Sequence, residues 1–130
     1  MSNDPLVRAF ESAAVDPRAF GHREHLYVAW CYLRELPLEE ALPRYVRHLR
    51  QLVAALGAPQ KFHATMTWAY LVLLDEAMRD PALQGGGFDA LLARHPSLLR
   101  HPDGALAEHY DREQLDSEAA RQRFVLPRPR

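Results

Sequence analysis

Apolar residues recur at steps of three and four through the first 79 positions, so the chain predicts a series of helices. Leu6, Phe10 and Ala13 form the inner stripe of a first helix over 5–14. Asp4 is a good cap for it and Pro5 a good first residue. Asp16-Pro17 breaks it. A second helix covers 22–36, with Leu26, Val28, Ala29, Trp30, Cys31 and Leu33 on several sides, so a wide arc needs burial. Leu36-Pro37 ends it, because the residue before proline is pushed out of the α region.

A third helix starts at Leu38, with Glu39 and Glu40 suiting its positive first turn. Leu42, Tyr45, Val46, Leu49, Leu52, Val53 and Leu56 make its apolar stripe, and Pro43 falls early enough to be tolerated. Its other face is basic, with Arg44, Arg47, His48 and Arg50, and is expected to meet solvent. Gly57 is placed as a C-terminal stop. A fourth helix runs from about Phe62 to Arg79 and is apolar nearly all round. Helices two and four are therefore expected at the centre. Asp80-Pro81 ends the fourth.

The remainder is less regular. Gln84-Gly85-Gly86-Gly87 is a flexible loop, and 88–94 makes a short helix. Asp103 can cap another through Glu108, and Asp116 or Ser117 a last turn through Arg123. Phe124 to Arg130, with prolines at 127 and 129, reads as an extended arm. No stretch alternates like a strand. The expected class is all-α, an up-and-down bundle of four main helices with a short-helix and extended C-terminal tail, in one domain spanning 1–130.

Composition narrows the function classes. A net charge of −1 gives no footprint for nucleic acid or an anionic membrane. No apolar run approaches the roughly 20 residues of a membrane span, and the N-terminus lacks the basic and apolar regions of a signal peptide. The single cysteine, Cys31, cannot form an internal disulfide, so a reducing cytoplasm is expected. Cys31 lies among apolar neighbours and reads as a small buried hydrophobe.

The candidate chemistry is histidine. His22 and His25 open the second helix, three apart and so on one face, and His63 opens the fourth. Short connections favour antiparallel neighbours, which in an up-and-down arrangement puts both helix starts at one end. Three imidazoles with an open position can hold a divalent transition metal: zinc, iron, copper or nickel. Glu24 and His25 are the candidate catalytic pair, Glu24 as a base on a metal-bound water. Thr67 lies on the same face behind His63. The structural alternatives are that the imidazoles hydrogen-bond to backbone or tyrosine, that His63 caps its own helix, and that Glu24 serves the helix dipole. His95, His101 and His109 read as surface residues. Phosphate loops, nucleophile elbows and paired cysteines are missing from the sequence.

Three segments carry a resemblance: Phe20-x-His22-x-x-His25-Leu26-x-x-Ala29-Trp30, then Phe62-His63-x-Thr65-x-Thr67, then Tyr110 with Leu115-x-Ser117-x-x-Ala120-Arg121-x-x-Phe124-Val125-x-Pro127. Together they resemble an uncharacterised family of short bacterial all-helical proteins. The chain departs from that pattern at Arg128, where the family puts an acid, and at Asp111, where it favours serine. The resemblance implies that the histidine and Tyr110–Arg121 segments belong to one unit. It supplies no activity, substrate or metal. Physically, Arg121 could anchor an anion and Tyr110 donate a hydrogen bond, which makes Tyr110, Arg121 and Thr67 the candidate substrate-binding residues. The structural alternative is that Tyr110 pins the tail.

Two functions follow. One is a three-histidine pocket that binds a divalent metal and acts on a small molecule. The other is a metal-free helical interaction or homodimerisation module whose histidines are structural.

Overall fold

The computed structural model describes residues 3–129, and all regular structure among them is helical. The sequence reading has one domain; the contacts group the chain into two compact units, one up to Phe62 and one from His63 onward.

The first unit holds α1 (Pro5–Glu11), α2 (His22–Glu35) and α3 (Leu38–Ala55), followed by a 3-10 turn at Pro59–Lys61. Asp4 caps α1 by accepting from the Leu6 and Val7 N–H groups at 2.8 and 3.2 Å. α1 stops three residues short of the expected Ala14. The Ser12 hydroxyl bonds the Arg8 carbonyl and Ala13 turns left-handed at φ 57°. α2 and α3 end where Leu36-Pro37 and Gly57 predict, Gly57 at φ 73°. Pro43 lies inside α3, which continues past it.

The core of this unit is aromatic. Phe10 is fully buried and its ring lies 5.1 Å from Tyr45, 5.9 Å from Phe20 and 6.3 Å from Tyr32. Two half-buried side chains of α3 do not face solvent as expected. Glu11 accepts from the Tyr32 hydroxyl, and its carboxylate lies 3.5 Å from Arg44 Nε and 3.8 Å from His48 Nε2. The reason is that α1 packs on α3 and brings a carboxylate to that face. Arg50 instead lies over the Phe62 ring, at 4.0 Å.

The second unit holds α4 (Ala64–Met78), α5 (Phe88–Arg94), α6 (Arg112–Leu115) and α7 (Glu118–Gln122). Short 3-10 turns cover Pro81–Leu83, Pro96–Leu99 and Ala105–Glu108. α4 buries Ala64, Thr65, Ala69, Tyr70, Leu71 and Leu74 but leaves Trp68 39% and Val72 43% exposed. Asp80 caps the turn after α4 and reaches Arg94 and His95 at the end of α5, at 3.0 and 2.9 Å. Asp111 caps α6 and Ser117 caps α7. Residues 124–129 are extended, as the sequence predicts.

No helix among the described residues is long and apolar enough to cross a membrane.

Candidate functional site

The candidate residues fall in different units. His22, Glu24 and His25 belong to the first; His63, Thr67, Tyr110 and Arg121 belong to the second.

At the start of α2, Glu24 Oε1 accepts the Gly21 N–H at 2.9 Å. That is one half of a capping box; glycine has no side chain to return the other half. Glu24 therefore satisfies one of the helix's orphan donors. His22 and His25 are both half-buried. Tyr45 Oη lies 3.2 Å from His25 Nδ1, and the imidazole stands edge-on to Phe20 with centroids 4.5 Å apart. The ring of His25 is thus held by α3 and by the segment leading into α2. Burial raises the Cys31 thiol pKa, which suits an inert side chain rather than a nucleophile.

His63 is the N-cap of α4, one of the structural alternatives the sequence offered for it. Its Nδ1 accepts the Met66 N–H at 3.0 Å, and Nε2 lies 2.7 Å from the Leu115 carbonyl. Met66 N–H can only donate and a carbonyl can only accept. The ring is therefore the neutral tautomer with its proton on Nε2. Burial lowers its pKa below 6.5, against the bond to Leu115, which raises it. Both nitrogens are spent on main chain, so a metal at His63 would have to displace one of these bonds. The donor set as it stands does not fit a three-imidazole centre. Among the described residues no group of three or more His, Cys, Asp or Glu side chains is placed to hold a metal.

Thr67 also serves backbone, donating to the His63 carbonyl at 2.8 Å. Tyr110 is buried and donates to the Val125 carbonyl at 2.7 Å, which pins the arm. Arg121 is exposed on α7; its backbone N–H donates to the Ser117 carbonyl at 3.2 Å, and its guanidinium makes no ion pair among the described residues.

What the sequence does not announce is the grip on the arm. Thr65, fully buried, donates to the Arg123 carbonyl at 2.9 Å and accepts the Val125 N–H at 3.1 Å. Gln114, also buried, donates from Nε2 to the Leu126 carbonyl at 2.8 Å and accepts the Arg128 N–H at Oε1 at 3.2 Å. With Tyr110, three side chains make five hydrogen bonds to the main chain of one extended segment. The Phe124 ring stacks on Trp68 at 5.3 Å, and Arg128 lies 3.5 Å from Glu113 and 3.7 Å from Asp111. The one sequence signal for this was Thr65 in the first turn of a buried helix. Gln114 carried none.

No family model matches the chain, and neither a curated protein nor a solved structure matches it significantly.

Proposed function

We propose that this chain is a metal-free helical interaction module that associates with a second copy of itself, its histidines serving structure. The observation that carries the reading is an apolar strip on the surface of the second unit. Trp68 and Val72 stand one turn apart on α4, exposed at 39% and 43%. Phe124 stacks on Trp68, and Leu126, two residues further along an extended chain, is 75% exposed. Tryptophan and phenylalanine are enriched at interfaces because each removes a large apolar area from water when covered. His63 fits the same reading, since both its nitrogens hold backbone. The reading does not require the four main helices expected from the sequence to form one up-and-down bundle.

Light scattering over a concentration series tests it. The expected species is a homodimer, and Val72→Glu, which places a charge in the strip, raises its dissociation constant about tenfold or more, a like-charge and desolvation cost above ~1.4 kcal/mol. A monomer at every concentration refutes the reading.

A second reading has one observation in its favour. The Tyr45 hydroxyl beside His25 Nδ1 is how an outer group orients an imidazole that ligates through its other nitrogen. On it, His22 and His25 would contribute to a divalent-metal site acting as a Lewis acid on a small molecule. Metal analysis of the purified protein separates the readings. About one equivalent, lost in His22→Ala and in His25→Ala, favours the metal.

A further inference from the structure

The arm is held like a bound peptide. Thr65, Tyr110 and Gln114 engage the carbonyls of Arg123, Val125 and Leu126 and the N–H groups of Val125 and Arg128. These contacts read main chain, so their energy does not depend on which polypeptide supplies it. Side-chain contacts, Phe124 on Trp68 and Arg128 with Glu113 and Asp111, fix the register. Pro127 holds the strand extended, which lowers the entropy lost on docking. The joint into the arm, Gln122–Arg123, is exposed, and Arg123 is already extended at φ −149° and ψ 164°. Once those contacts are broken, swinging the arm away asks for rotation at a solvent-facing joint.

Resting on the interaction-module reading, we propose that the groove lined by Thr65, Tyr110 and Gln114 is an exchangeable peptide site, and that in the dimer each copy's groove holds the arm of the other. In such an exchange the grip lost within one chain is regained from its partner and cancels. What decides the equilibrium is the joint and whatever new surface the two copies bury together. The second unit supplies that surface: Trp68 borders the arm, Val72 stands one turn further along α4, and Leu126 lies on the arm, all exposed. A second copy is thus the occupant that fits both the groove, because it carries the matching segment, and the strip, because it carries the same apolar residues.

The test uses the full chain. Equal amounts of protein labelled only at tryptophan and protein labelled only at phenylalanine are mixed, concentrated and equilibrated. Isotope-filtered spectra then look for a Trp68–Phe124 contact between differently labelled chains, which exchange requires. Thr65→Val removes two of the five grips, so it should speed the mixing of labelled and unlabelled dimers about tenfold. A dimer in which every Trp68–Phe124 contact stays within one chain overturns exchange and leaves the interaction module standing. A chain that stays monomeric overturns both.

Discussion

The imidazole of His63 shows how one side chain can satisfy two backbone groups, one 3 and the other 52 residues further along the chain. A proton on Nδ1 would face the Met66 N–H, donor against donor, so the fold holds this ring neutral. His63→Ala leaves Met66 N–H and Leu115 C=O without their partner and should cost about 2–3 kcal/mol in chemical denaturation. The cost also carries a pH signature. Because burial depresses the folded pKa below 6.5, the unfolded chain takes up the proton first. The stability His63 supplies is complete above about pH 6.5 and is lost as pH falls through the folded value. The difference between wild type and His63→Ala should therefore shrink on acidification, other titrating groups cancelling in the comparison. A difference that grows instead would mean the ring is charged in the fold.

Among the elements, the helix ends are set by local chemistry that reads directly from sequence. Asp4-Pro5 starts α1, Leu36-Pro37 stops α2, Gly57 stops α3 and Asp80-Pro81 follows α4. Glu24 is instructive because its spacing suits both a catalytic base and a cap, and the bond to its Oε1 from Gly21 N–H shows the capping contact made. The short turns of the second unit depend on something less visible, close approach of backbone. Gly104, at φ −107° and ψ −120°, is the clearest case. A Cβ there would sit 2.2 Å from the Ser97 carbonyl oxygen, 2.3 Å from that of Arg100 and 2.7 Å from the Arg100 Cβ. Backbone would have to move, since two of these atoms belong to it. Gly104→Ala should destabilise by about 1–3 kcal/mol, toward the upper end, read as a lowered unfolding midpoint. An unchanged midpoint would show that the turn between Leu99 and Ala105 is free to open.

At the scale of the whole chain, periodicity foretells the all-helical class but not the contacts that join distant segments. Arg44 and His48, one turn apart, pattern as a solvated face until α1 brings Glu11 to them. Thr65 meets residues 58 and 60 positions away, and no local spacing encodes that register. The candidate site shares this limit: His22, His25 and His63 can be singled out by type and by position in a first turn, whereas the backbone partners of His63 come from folding. The arm reads as extended from its prolines, yet its anchoring to the second unit is a tertiary fact with an alternating pattern. Val125 N–H and Arg128 N–H point to Thr65 and Gln114, whereas Phe124 and Leu126 N–H have no partner among the described residues. Amide exchange should follow that alternation although the segment has no regular secondary structure. Val125 and Arg128 should exchange with the slow amides of α4, and Phe124 and Leu126 orders of magnitude faster. In Thr65→Val, Val125 should fall toward the rate of Phe124 while Gln114 still shields Arg128. Four amides exchanging alike in the wild type would mean that the arm opens as freely as any loop, and the grip of Thr65 and Gln114 would count for little in the stability of the second unit.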